Sequence, residues 1–355
     1  MSIVTNYGRK GATYMQDRIP PADSDTGDVW IKTDDRNVYA RDSGGYVQIT
    51  EYFRDFPGEG SRGVFIGGFD TNLVVALNII DYIAFVTLSN AYDFGDTSII
   101  TYRNAATSNG IQDRGVYNIS PYSDTEYITI STCENGLVFG TCGGDYMLKA
   151  ATSNDSYQRG VFGGGYLAAG VYHDEIEYIT INVVGSNGIT FGDLSLARSN
   201  LGACSNAIRN TGVFGGGQTN GPVYRDEMDY ITINTPSNAV YFDDLIVARS
   251  GLSGTSNGYN DRGIFAGGTD STGIIEYINI SSHSFSNDFG VLTLPRRGIG
   301  CSSNKNRQRA VFGGGYTGAV DTNIIDYITI NNPNDAADFG DLTVTRGFLT
   351  GTSNA

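Results

Sequence analysis

The sequence predicts an all-β fold made of six copies of one four-stranded unit, and three observations carry that prediction. A Phe is followed by an Asn fifteen residues later six times: Phe94 and Asn109, Phe139 and Asn154, Phe191 and Asn206, Phe242 and Asn257, Phe289 and Asn304, Phe339 and Asn354. A period of roughly 50 residues held this rigidly marks a supersecondary unit copied along an array. The composition is that of strands and tight turns, with Gly 48, Tyr 23 and Phe 17 in 355 residues, a single Trp and only 17% charged residues. Short runs rich in Val, Ile, Tyr and Phe also alternate with clusters of Gly, Asn and Asp, as strands alternate with their turns.

The fourth copy shows the unit: TGVFGGG (211–217), a variable segment, MDYITI (228–233), VYFDDLIVAR (240–249) and SGLSGTSN (250–257). These read as antiparallel strands bounded by turn residues. From each Asn to the next strand's aromatic (Tyr117, Phe162, Phe214, Phe265, Phe312) is eight residues. From the third-strand Tyr (Tyr82, Tyr127, Tyr178, Tyr230, Tyr277, Tyr327) to the next Phe is twelve, or thirteen once. Only the stretch from the second-strand aromatic to that Tyr varies, with 17, 10, 16, 16, 12 and 15 residues along the chain. Loops that tolerate insertion on a rigid scaffold are where function concentrates.

Taking the Asn-bearing strand as the innermost, the first unit lacks one, because Pro57 within FPGEG stands eight residues before Phe65 and a central strand does not accept proline there. RGFLTGTSNA (346–355) is an unattached copy of that strand. It is expected to complete the first unit and close a six-bladed β-propeller over 57–355, with repeats starting near 62, 114, 159, 212, 263 and 309. Closure would remove the open sheet edges. In an up-and-down blade the variable loops leave on one face. Residues 1–56 are expected to join the opposite one.

VFGGG, then DYITI, an aromatic about twelve residues on and an Arg resemble the kelch repeat, over roughly residues 62–355. The resemblance implies a propeller and leaves activity open, because function is grafted onto this fold in many ways. The chain departs from it by carrying Phe where kelch repeats usually carry Trp, and by Ile119 and Ser120 in place of the second Gly doublet.

Within residues 1–56, GDVWIKTDDRNVYARDSGGYVQI (27–49) reads as a meander of three short strands. Such a meander buries too little to stand alone and is expected to pack on a partner or on copies of itself. PPADSDTGDVWIKTDDRNVYARDSGGYVQI resembles short segments of bacteriophage tail-fibre and related virion proteins. The resemblance implies attachment to other virion proteins, with Trp30, Tyr39 and Tyr46 as candidate contacts. The first twenty residues lack the apolar core of a secretion signal, so assembly in a host cytoplasm and residence in the virion are expected. No stretch reaches the roughly 18 apolar residues of a spanning helix, so membrane insertion is not expected.

The net charge of −15 argues against nucleic acid, whose affinity rests on Lys and Arg displacing counterions. Four cysteines do not make a disulfide scaffold, and Cys133 and Cys142, which share a repeat, are expected to stay unbridged. The triple-Gly runs at 163–165, 215–217 and 313–315 are followed by no Lys-Ser or Lys-Thr, so they read as strand ends and not as a phosphate cradle. An acid precedes every third-strand Tyr (Asp81, Glu126, Glu177, Asp229, Glu276, Asp326), which suggests six copies of a structural contact to Arg62, Arg114, Arg159, Arg262 and Arg309. Arg103, Arg198, Arg249, Arg296 and Arg346 read as a second structural set.

The two histidines, His173 and His283, fall in different repeats, which does not suit copper ligation. Only His173, beside Asp174 and Glu175, approaches a triad arrangement. The Asp-box turns of six-bladed sialidases are absent. No catalytic residue, metal or cofactor is assigned. The variable loops offer Tyr166, Tyr172 and His173 in the third repeat, Gln218, Asn220, Tyr224 and Arg225 in the fourth, and Tyr316 and Asp321 in the sixth. Aromatic faces beside Asn, Asp and Arg suit sugar rings. The leading expectation is a non-enzymatic virion fibre or adhesin whose loops bind a host-surface polysaccharide or receptor. A decoration protein binding only virion proteins and a glycan-cleaving enzyme are the alternatives.

Overall fold

The computed structural model describes residues 62–355 apart from 168, 169, 222 and 270–272, together with the backbone of five strands between residues 3 and 48. The chain divides into two units, Met1–Gly60 and Ser61–Ala355. In the first, Ile3–Asn6, Ala12–Gln16, Val29–Lys32, Asn37–Asp42 and Gly45–Gln48 form one sheet in that order. Ala12–Gln16 runs parallel to Val29–Lys32, and the other pairs are antiparallel. Trp30 lies opposite Tyr39, and Tyr46 opposite Arg41. The side chains on which their attachment role depends, and the FPGEG segment with Pro57, lie outside the described residues.

The second unit is a six-bladed β-propeller, each blade built on a four-stranded antiparallel sheet, to which blade 1 adds the short strand Phe69–Asp70. The inner strands of blades 2–6 are Ala106–Ser108, Ala150–Ser153, Gly202–Ser205, Ser253–Ser256 and Gly300–Ser303, and that of blade 1 is Thr350–Ser353. The last pairs with Arg62–Ile66, Thr350 opposite Ile66 and Ser353 opposite Gly63, so the C-terminal strand closes the ring as expected. The Arg62 N–H donates to Asn354 Oδ1 at 3.0 Å beside this junction, so the described chain of the propeller starts on the face opposite the variable loops.

The repeated Phe is where the outer strand bulges. In blade 2, Thr125 faces Gly140 while Glu126 faces Val138, leaving Phe139 as the extra residue, and the other five blades shift register at the equivalent place. A bulge re-aims one side chain. Here it turns Phe139 and its five equivalents inward, all at most 5% exposed. Each sits edge-on to the third-strand Tyr of its own blade, with ring centroids 6.1–6.2 Å apart.

The repeated Asn is a turn residue that also ties neighbouring blades. Its Oδ1 accepts the N–H of the residue five further on, as from Asn206 to Thr211 at 2.8 Å and from Asn257 to Arg262 at 2.7 Å. Its Nδ2 reaches the corresponding turn of the next blade, as from Asn154 to Asn210 at 2.9 Å and from Asn206 to Asp261 at 3.0 Å. The apolar interior is accordingly divided into six clusters, each shared by two adjacent blades.

The acid before each Tyr is structural, but its partner differs from the expected one. Asp229, Glu276, Asp326 and Asp81 pair with Arg198, Arg249, Arg296 and Arg346, all eight side chains being fully buried. These arginines come from the connector that crosses from one blade's outer strand to the next blade's inner strand, so each pair joins two blades. Arg62, Arg114, Arg159, Arg262 and Arg309 instead lie over the third-strand Tyr rings at 4.1–4.9 Å. Each also donates to a carbonyl of the following blade, as Arg114 does to Ile181 O and Arg159 to Ile233 O.

Arg103 does not belong to the connector set. Arg198, Arg249, Arg296 and Arg346 stand eight residues before the Asn, a place held by Thr101 in blade 2 and Tyr146 in blade 3. There the acids find other donors. Glu126 accepts from Ser98 and from the Tyr117 hydroxyl at 2.7 Å, and Glu177 accepts the Gly143 N–H. Lys149, 6% exposed, donates to Cys142 O at 2.9 Å in the same interface, and burial lowers its pKa from the ordinary lysine value. All four cysteines are free.

Candidate functional site

The loops after the second strands and the connectors into the inner strands emerge on one face of the ring. The Gly doublet makes that possible. Gly164 and Gly165 have φ of +67° and +136°, and the Gly165 N–H donates to Arg198 O on the connector at 3.0 Å. A Cβ on Gly164 would meet that carbonyl at 2.5 Å, so only glycine lets the strand end against the connector. In blade 2, which lacks the doublet, the Ser120 N–H donates to Thr101 Oγ1 at 3.1 Å instead.

Around the axis the face is organised in three rings. The innermost is formed by the residue six before each Asn: Arg103, Leu148, Asn200, Gly251, Gly298 and Phe348, all with φ between +56° and +71°. Each N–H donates to the carbonyl of the preceding member, and Arg103 donates to Phe348, in a closed cycle of bonds of 2.7–3.0 Å. This annulus consumes its own backbone donors and acceptors. It caps an axial cavity of about 90 Å³ lined by the inner strands. At the opposite mouth Lys305 Nζ meets Asp155 Oδ2 at 3.1 Å, a pair joining blades 6 and 3 across the axis.

The middle ring holds the preceding residues, among them Tyr102, Met147, Ser199 and Arg297. The outer ring holds the residue after each Gly doublet: Phe69, Tyr166, Gln218, Thr269 and Tyr316. The two are joined by backbone bridges, Met147 with Tyr166, Ser199 with Gln218 and Arg297 with Tyr316. Three of the nine sequence-derived ligand candidates, Tyr166, Gln218 and Tyr316, thus occupy one structural position in different blades.

The remaining candidates lie farther from the axis, and several converge. Tyr166 packs against Tyr172 with centroids 5.1 Å apart. Gln218 Nε2 donates to the Tyr172 hydroxyl at 3.3 Å, while its Oε1 accepts from Ser250 at 3.2 Å. Tyr172, Asn220 and Arg225 line an open groove of about 470 Å³ between blades 3 and 4, completed by Val171, Leu196 and Ala197. Tyr224 is exposed on the short ribbon that pairs Gln218–Thr219 with Val223–Tyr224. Arg225 Nη2 lies 3.5 Å from Glu227 Oε1.

Two candidates stand apart. His173 stacks on Tyr146 at 3.6 Å and its Nδ1 is 3.0 Å from Glu175 Oε2. Its Nε2 has no hydrogen-bond partner, so no serine hydroxyl is presented to it among the described residues. Asp321 is only 6% exposed, and its Oδ2 accepts from the N–H and hydroxyl of Thr71 at 2.6 and 2.7 Å, anchoring the blade 1 loop. His283 packs against Tyr230 and Phe242 in blade 4, where Thr211 stands in place of the ring-capping arginine.

No protein-family model and no curated protein matches the chain.

Of the residues at the channel mouth, the sequence reading passed over Tyr102, Arg297 and Phe348 and placed Arg103 in the structural arginine set. Counting back six and seven residues from the Asn would have found them. No one residue type is kept at those offsets, and only the shared backbone conformation marks the position.

Proposed function

We infer that the protein is a non-enzymatic structural component of a bacteriophage virion, a tail fibre or adhesin assembled in the host cytoplasm. Its propeller loops bind a host-surface glycan or receptor, and its first fifty-six residues hold other virion proteins. The observation that carries this reading is the concentration of length variation on one face of an otherwise fixed ring, where Tyr166, Tyr172, Tyr224 and Tyr316 stand in or beside the variable loops. The groove of Tyr172, Asn220 and Arg225 supports it, since it offers an aromatic face beside polar groups at the scale of one or two sugar residues. The tail-fibre likeness of residues 20–49 and the kelch-like repeat are further support.

The test is binding of the full chain to purified envelope polysaccharide from candidate bacterial hosts. The reading predicts saturable binding, weakened about tenfold or more by replacing Tyr166, Tyr172 and Tyr224 with Ala, since loss of an aromatic platform costs on the order of 1–3 kcal/mol. Absence of binding to any host material would leave the decoration role. Release of reducing ends during incubation would favour the glycan-cleaving enzyme.

A further inference from the structure

In a chain of net charge −15, two guanidinium groups beside the channel mouth meet no carboxylate among the described residues. Among the described residues, the one hydrogen bond made by the Arg103 side chain is from Nη1 to Met147 Sδ at 3.4 Å, and its Nε has no partner. The Arg297 Nε likewise has none. The connector arginines Arg198, Arg249, Arg296 and Arg346 are fully buried in ion pairs, and the arginines over the third-strand Tyr rings each donate to a carbonyl of the following blade; among the described residues Arg103 and Arg297 make neither contact.

Both groups lie against aromatic rings. Arg103 Cζ is 5.1 Å from the Tyr102 ring and 5.4 Å from the Phe348 ring, and Arg297 Cζ is 5.5 Å from the Tyr316 ring. The Phe348 and Tyr316 rings are themselves near-parallel, 6.2 Å apart at 28°. The order is therefore Tyr102, Arg103, Phe348, Tyr316, Arg297, with cations flanking an aromatic pair. Arg103 and Phe348 hold φ of +61° and +56°, a region disfavoured for side-chain-bearing residues, while two other members of the annulus are glycines that adopt it freely. Because the annulus engages its own backbone groups, a ligand at the mouth is recognised by these side chains.

We propose that this cluster is the subsite for a carboxylated sugar, a uronic-acid type residue within the polysaccharide held by the loop face. A guanidinium fork matches a carboxylate in shape and charge, and the ring pair offers an apolar platform to the pyranose face. Neither feature alone suits both parts of such a ligand. Nucleic acid would require more positive charge than this acidic chain offers. The assignment rests on the glycan-binding reading of this face.

The experiment measures binding of the full chain to polygalacturonate and to dextran, at low salt and at 0.5 M NaCl. Polygalacturonate is expected to bind at least tenfold more tightly than dextran, with the difference shrinking in high salt. Arg297→Gln and Arg103→Gly are each expected to remove at least tenfold of the polygalacturonate affinity. Arg103→Gly relieves the positive φ, so its melting temperature is expected to stay level or rise while binding falls, separating recognition from folding. Equal affinity for the two polymers, or unchanged affinity in both variants, overturns the carboxylate subsite. If polygalacturonate is not held but a neutral envelope polysaccharide is, the subsite falls and the glycan reading stands. If no polysaccharide of any kind binds, both fall.

Discussion

Arg249 shows how much of the ring depends on single residues. Its guanidinium donates to Glu276 and to Gly267 O at 2.9 Å, so one side chain from a connector holds the third strand and the Gly doublet of the next blade. Both partners are fully buried. Replacing Arg249 with Met leaves the Glu276 carboxylate in an apolar interface with its cation gone, and removing one member of a buried pair costs about 3–5 kcal/mol. The expected result is a fall in unfolding free energy of that size by chemical denaturation. A double variant, Arg249→Met with Glu276→Gln, should recover part of the loss, which would show that the unpaired charge, and not lost volume, is responsible.

The same residues mark the limit of what was legible. That six acids and a recurring arginine served structure followed from their repetition. Which arginine met which acid did not follow, because the partners are about thirty residues apart in sequence and on different blades, as with Arg198 and Asp229. Arg103 was grouped by residue type when its offset from Asn109 set it apart by two positions. That shift is enough to move it from an ion-paired interior to the channel mouth.

At the scale of the element, the contrast is between segments tied on all sides and one that is not. The turn from Asn206 to Thr211 is fixed by the Asn206 side chain, which bonds Thr211 within its own blade and Asp261 and Ser281 in the next. The tip of the blade 6 loop, by contrast, is exposed from Gly318 to Val320, and its described hydrogen bonds stay within the loop. Excising Gly318 and Ala319 is expected to change the unfolding free energy by no more than about 0.5 kcal/mol, as for a surface change away from packed features. Deleting Asn210 from the tied turn is expected to abolish cooperative unfolding or lower stability by several kcal/mol. Thermal melts of the two variants check this directly, and comparable losses in both would contradict it.

The element count and order were readable because packing imposes fixed intervals: the bulged Phe must meet its Tyr, and the Asn must reach the next blade. The loops follow no such rule. Tyr166, Gln218 and Tyr316 could be selected as loop residues, but that they share one position, or that Asp321 is spent on Thr71, depends on contacts between blades. Phe348 was marked in the sequence by its offset of six residues from Asn354 alone, because it sits within the strand-closing copy and reads there as part of the repeat.

For the whole molecule, the ring has two unlike faces. One carries the tied turns, among them Ala207–Arg209 and Gly258–Asn260, and the start of the described propeller chain at Arg62. The other carries every variable loop, the groove between blades 3 and 4, and the aromatic–arginine cluster over the axis. If the protein is a recognition module, ligand contact belongs to the second face alone. Hydrogen–deuterium exchange of the full chain with and without saturating host polysaccharide tests this most directly. Slowed exchange is predicted at residues 166–172, 218–225 and 316–321 and in the connectors around 102 and 297, with the turns at 207–209 and 258–260 unchanged. Protection confined to those turns or to the outer strands, with the loops unchanged, would contradict it.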